Sequence, residues 1–184
     1  MKYKLTEETK VVAGVTLHRI QALKSFGDVT EGDLGGWVES GANLSHSGGC
    51  WVYDDAKVYG DALVSGKARV YGNARVFDDA GVYGDARVFG NAKVCEDAKV
   101  SGNTRVFGNA KVYGNAWVSE DARVCGYARV LGNAWVLGDA RVFGYAWVYG
   151  NAWVYGDAKV SGNTRVYGDA YVHTGTLSSG EHKQ

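Results

Sequence analysis

The chain has 184 residues, a length that fits one domain. Lys plus Arg and Asp plus Glu both total 20, so the net charge is zero, which excludes a global pull toward nucleic acid or anionic membrane and argues against a mimic of the DNA polyanion. Glycine occurs 27 times and proline never, alongside 12 tyrosines and 6 tryptophans, which excludes a disordered low-complexity tract and ties glycine to a recurring backbone need.

Met1–Lys10 is charged throughout and lacks the apolar core of a signal peptide. No stretch approaches the ~18 uninterrupted apolar residues of a membrane span. Cys50, Cys95 and Cys125 lack metal-type spacing. These features predict a soluble cytoplasmic protein with free thiols, no metal site and no cofactor. Residues 1–50 read as an N-terminal cap. Within them Val11–Leu17 (VVAGVTL) reads as a turn between strands, Gly32–Val38 approaches the chemistry of the repeat that follows, and Ser45–Gly49 is a small loop.

Residues 51–173 repeat one unit, V-x-G-[DN]-A-x, with valine at every sixth position from Val52 to Val172. In Ala74-Arg75-Val76 the two-residue period of a strand turns alanine and valine to one side and the residues flanking valine outward. Gly-Asp or Gly-Asn then makes a tight corner, because both residue types tolerate positive φ. A helix is excluded, since each interior glycine would cost roughly 1 kcal/mol against alanine. Thr104, Thr164 and Cys50 occupy the alanine slot and are small enough for it. Residues 174–184 form a polar C-terminal tail that ends the pattern.

This strand-and-corner unit resembles the hexapeptide repeat of left-handed parallel β-helices, in which three hexads make one triangular coil, here 18 residues. The resemblance implies an all-β, single-stranded parallel β-solenoid of roughly seven coils, a rod of roughly 30–35 Å at ~4.8 Å per stacked strand. Left-handedness comes from the resemblance alone. A right-handed triangular solenoid, as in bactofilin-like filament proteins, is the alternative, because parallel crossovers are right-handed in about 98% of other folds. The head segments Leu17–Leu23 (LHRIQAL), Gly32–Ser40 (GDLGGWVES), Asn43–Ser45 (NLS) and Cys50–Ala62 (CWVYDDAKVYGDA) resemble hexapeptide-repeat proteins of bacteria, phages and prophages. Many of those carry a generic transferase label, so the likeness implies lineage and fold.

Stacking at 18 residues sorts outward positions into three faces. The first carries the basic column Arg69, Arg87, Arg105, Arg123, Arg141 and Lys159 beside Tyr71, Phe89, Phe107, Cys125 and Phe143. The second carries Lys57, Arg75, Lys93, Lys111, Arg129, Trp147 and Arg165 beside a largely aromatic column from Tyr59 to Tyr167. The third runs Leu63, Gly81, Lys99, Trp117, Trp135, Trp153 and Tyr171, with Leu137 and Tyr155 alongside. Its C-terminal half is an aromatic strip, the kind of patch that marks an interface with another copy or a host protein, although stacked aromatics also stabilise a sheet by themselves. The arginine column from Arg69 to Arg141 is a candidate for phosphates or single-stranded nucleic acid, against which stand the zero net charge and the many corner carboxylates. Columns such as Asp61/Asp79/Asp97 suit local backbone hydrogen bonds better than calcium.

Acyltransferases of the hexapeptide class use a histidine base beside a protruding loop. His18, His46, His173 and His182 all lie outside the coils between Val52 and Val172, and those coils contain no inserted loop. No catalytic residue is therefore assigned. The first expectation is a non-catalytic interaction or scaffold protein of phage or prophage lineage; an acyltransferase and an anion or nucleic-acid binder are the alternatives.

Overall fold

Alternation inside each hexad and a left-handed residue at each corner build an all-β parallel solenoid of about eight turns. The computed structural model describes residues 1–183. From Trp51 to Tyr171 a short strand begins every six residues, and the strands sort into three sheets. The first face has eight strands, from Trp51–Val52 to Thr176–Leu177, and the third has seven, from Leu63–Val64 to Tyr171–Val172. The second has eleven, because the head joins it.

Register follows the 18-residue step throughout: Arg69 pairs with Arg87 and Arg87 with Arg105, while Trp117 pairs with Trp135 and Trp135 with Trp153. The turn count exceeds the roughly seven expected at one coil per three hexads. Trp37–Val38 and Leu44 in the head already pair in parallel with Lys57–Val58 and Val64. Thr176–Leu177 and Glu181–Lys183 add strands at the other end.

Each coil hangs on the next by backbone bonds. Arg87 N–H donates to the Thr104 carbonyl at 2.9 Å, Phe89 N–H to Val106 at 3.0 Å, and Asn91 N–H to Gly108 at 2.8 Å. A chain that lends N–H groups at every strand and corner has no room for proline, which has none to lend. Inside, the valines from Val52 to Val166 are fully buried, with the alanines filling the corners. The core is therefore narrow and continuous.

The head closes the N-terminal end. Strands β1 (Tyr3–Val12) and β2 (Val15–Ala22) form an antiparallel hairpin around Ala13 and Gly14, with φ of 52° and 83°. Positive φ at both central residues is the two-residue turn whose twist suits a hairpin. Strand β3 (Leu34–Val38) pairs antiparallel with β2 on one edge and parallel with Lys57–Val58 on the other. It therefore converts a hairpin into a solenoid. A Cβ on Gly35 would stand 2.6 Å from Ile20 Cγ1 and one on Gly36 would stand 2.6 Å from the Ala56 carbonyl, so this junction admits only glycine. Tyr3 and Phe26 pack edge-on against Trp51, which is 1% exposed although it occupies an outward slot of the repeat.

Corners enforce the left-handed backbone. Most are glycine, but Asp54, Asp78, Glu96 and Glu120 adopt φ of 53–63° in the same slot. Three of them offset the strain by accepting an N–H from the next coil: Asp54 from Gly72 at 3.0 Å, Asp78 from Glu96 at 3.3 Å, and Glu96 from Gly114 at 2.8 Å. The Glu120 carboxylate accepts none among the described residues. Glu120→Gly should therefore raise unfolding free energy by about 0.5–1 kcal/mol, the left-handed penalty less the entropic cost of glycine. Glu96→Gly should gain less, because it forfeits a hydrogen bond. Gly114→Ala should lose about 1–3 kcal/mol, its Cβ falling 2.7 Å from Gly132 N. Urea denaturation of the three variants checks the order.

Candidate functional site

On the first face the arginine column is present as an outward row, but carboxylates attend it. Arg69 donates to Asp28 at 2.9 Å, and Tyr53 donates to the other oxygen of Asp28 at 2.8 Å. Burial pushes the Tyr53 hydroxyl up, and its bond to Asp28 adds to the shift; burial works against the lowering of Asp28, which the hydrogen bond from Tyr53 and the charge of Arg69 achieve. Further along, Arg87, Arg105 and Arg123 share a groove of about 380 Å³ with Asp85, Asp121 and Asp139. The corner leading into this face supplies those acids, so the groove alternates in sign. The neighbouring rings lie flat on one another: Tyr71–Phe89 at 4.7 Å and 3°, Phe89–Phe107 at 4.9 Å and 2°. Rings stacked in this way cover each other's faces and show their edges outward. The arginines and the ring column stand side by side as the repeat places them, but the stack leaves few faces for a nucleic-acid base.

The third face assembles the tryptophan strip. Trp117 and Trp135 are 4.8 Å apart, Trp135 and Trp153 are 4.8 Å apart and parallel within 3°, and Tyr171 follows at 5.9 Å. Both ends of the strip are open, Trp117 at 36% and Tyr171 at 57% exposure. A side-chain amide ladder borders it. Asn115 donates to Asn133 at 3.1 Å, Asn133 to Asn151 at 3.0 Å, and Asn151 to Asp169 at 2.9 Å. Ser119, Leu137 and Tyr155 border the other side. From Asn115 to Tyr155, these three parallel columns carry no charge.

The second face holds residues that the repeat pattern alone did not single out. Tyr127 and Tyr145 occupy the corner slot that is Asn or Asp in every other hexad except at Lys67, are 53% and 59% exposed, and stack at 5.0 Å and 5°. The signal was in the sequence as the two aromatic departures from Gly-Asn, at Gly126-Tyr127 and Gly144-Tyr145. Beside them Lys93, Lys111 and Arg129 line a groove of about 500 Å³, and the Arg129 guanidinium lies 4.6 Å over Trp147.

The head gathers a polar cluster of buried Lys2, Tyr3 and Cys50 under an exposed His46. Lys2 is 1% exposed; its ammonium donates to the Cys50 carbonyl at 2.8 Å and meets the Cys50 sulfur at 3.2 Å. His46 stacks on Tyr3 at 4.4 Å and accepts the Lys2 backbone N–H at Nδ1, 3.2 Å. Burial raises the Tyr3 hydroxyl to about 12 and, with the nearby N-terminal amine and Lys2, lowers His46. On the adjoining edge, Asp55 takes bonds from Lys10 and Lys57 that outweigh burial and bring it to about 2. Cys95 and Cys125 are not poised as nucleophiles: burial, with Glu96 and Asp78, pushes Cys95 up to about 11, and burial raises Cys125. His173 is exposed and tilts against Tyr155 at 4.7 Å, beside His182 and Glu181 in an open cavity at the C-terminal end. Among the described residues no group of His, Cys, Asp or Glu is arranged to hold a metal ion.

A family described as the YdcK beta-solenoid repeat matches residues 68–84. The chain is similar to a protein of Escherichia coli (strain K12) named "Uncharacterized acetyltransferase YdcK", 36% identical over 77 residues. That alignment covers 37% of this chain and 24% of the relative, about a quarter of its length. The likeness supports a β-solenoid repeat protein related to that acetyltransferase-named one.

Acid should loosen the head in two stages. The lowered His46 favours its neutral form in the fold, so its contribution is complete above the ordinary histidine value near pH 6.5 and falls as pH drops below it. Asp28 and Asp55 contribute fully above about pH 4 and lose that contribution as pH falls toward 2. Thermal melts should show a decline between pH 7 and 5 that flattens in His46→Ala, and a second decline below pH 4 that shrinks in Asp55→Asn.

Proposed function

We propose that this protein is a non-catalytic interaction rod that associates with a second copy of itself through the third face. The observation that carries the reading is the uncharged band in which Trp117, Trp135 and Trp153 run unbroken between the Asn115–Asn133–Asn151 ladder and Ser119, Leu137 and Tyr155, with Tyr171 continuing the ring column beside Asp169. Depletion of charge around large aromatics is the composition of an interface core. From Trp117 to Tyr171 the ring column spans three strand spacings, about 14 Å at ~4.8 Å each. A second copy is the partner whose ridges repeat at the same spacing, so two such faces meet in register along the whole band. The head's resemblance to phage and prophage proteins supports that lineage for the rod.

Trp135→Lys tests the contact without disturbing the repeat, because Lys99 occupies the same column two coils earlier. Light scattering should give a dimer for the wild-type protein and a monomer for Trp135→Lys, with unchanged circular dichroism. A wild-type monomer at tens of micromolar would overturn the reading.

A second reading, acetyl transfer, is favoured by the likeness to the E. coli protein named an uncharacterized acetyltransferase. In this chain the histidine placed to serve it is His173, exposed and lining the C-terminal cavity together with Glu181 and His182. Turnover of acetyl-coenzyme A that disappears in His173→Ala would support transfer; its absence across amine and hydroxyl acceptors would remove it.

A further inference from the structure

The geometry points to a nucleotide-binding groove on the second face, formed where the corner column changes from asparagine to tyrosine. This corner reads Asn73, Asn91, Asn109, Tyr127, Tyr145, Asn163 along the rod. Tyr145 covers one face of Tyr127 at 5.0 Å and 5°. The next position in the stack is Asn109, a small amide where a further ring would lie. Tyr127 therefore ends its stack as a wall, and its second face looks over a shelf made by Asn109 and Asn91. A planar ring one stacking distance from Tyr127 would continue the column.

The shelf is also cationic. Lys93 and Lys111 pair in register one coil apart beside Asn91 and Asn109, and Arg129 stands beside Tyr127. No carboxylate is among the residues lining the groove. The contrast with the first face is decisive. There the equivalent corner is Asp85, Asn103, Asp121 and Asp139, and the arginines share their groove with those acids. Here the corner is uncharged beyond Asp55, and the acids Asp78 and Glu96 stand around Cys95 on the other edge of the face, outside the groove. Lys93, Lys111 and Arg129 form no ion pair among the described residues.

A volume of about 500 Å³ suits a small ligand rather than a whole protein surface. The chemistry that satisfies these groups together is a planar base joined to phosphate. The base stacks on Tyr127, its polar edge reaches the Asn91 and Asn109 amides, and the phosphate sits between Lys93 and Lys111. Asn91 and Asn109 already bond to each other at 3.3 Å and retain donors and acceptors for a ligand. The site is independent of the tryptophan strip, which lies on another face.

The test uses the full chain with AMP, a short single-stranded oligonucleotide and inorganic pyrophosphate as titrants in calorimetry. Tyr127→Asn restores the corner found at Gly108-Asn109 and Gly132-Asn133, so the fold is retained while the wall is removed. It should weaken AMP about tenfold, the scale of one lost base–aromatic stack, and leave pyrophosphate unchanged. Lys111→Glu should weaken both. Oligonucleotide binding that is tighter than AMP and steeply salt-dependent supports the groove as a site for a nucleotide within a strand; comparable affinity supports a free nucleotide. Absence of AMP and oligonucleotide binding at millimolar concentration, or AMP binding that Tyr127→Asn leaves intact, would overturn the proposal.

Discussion

Every feature of this rod depends on one constraint: each coil must present its backbone N–H groups to carbonyls exactly one turn away. The bonds from Arg87 to Thr104, Phe89 to Val106 and Asn91 to Gly108 hold only if every turn consumes the same number of residues. The corner must then be left-handed at the same place in every hexad, which is why glycine recurs and why Asp54, Asp78 and Glu96 secure a hydrogen bond where they replace it. An insertion of one residue would exchange inward and outward positions for the rest of the strand. The uniformity of the coils follows from that intolerance.

The same register stacks identical side chains at strand spacing, with different results for different chemistry. Aromatic columns satisfy themselves, as the near-parallel Tyr71–Phe89–Phe107 and Tyr149–Tyr167 rings do. Asparagines form amide ladders. Arginines stacked at strand spacing repel one another, and the acids at the preceding corner relieve that repulsion on the first face. A column that is chemically complete along its length has little left to offer a ligand. Both proposed sites lie where a column changes identity: at Trp117, where lysine gives way to tryptophan, and at Tyr127, where asparagine gives way to tyrosine.

The head answers a different problem, the open strand edge at the start of a solenoid. Its hairpin extends the second face, and residues such as Tyr3 and Phe26 cover Trp51, an outward-pointing residue of the first regular coil. Lys57 and Tyr59 are buried in the same way, at 6% and 8% exposure, beneath the edge that carries Lys10 and Val12. The early coils thus have part of their surface committed to capping. Free surface begins further along the rod, where both proposed sites lie.

The sequence by itself determined the strand, the corner, the inward valine and alanine, and the membership of every column, because each is encoded within six residues and repeated by a fixed step. The arginine and tryptophan columns appear in the structure in the predicted register for that reason. Only the tertiary structure decided which columns are chemically spent and which are open. Ring overlap in the Tyr71–Phe107 stack, the pairing of Arg69 with Asp28, and the burial of Lys2 beside Cys50 arise from contacts between residues a coil or more apart. The head lies outside the repeat, so no period foretells what it covers; its docking is a matter of long-range packing, and that packing buries Trp51 while Tyr127 and the two ends of the tryptophan strip stay exposed.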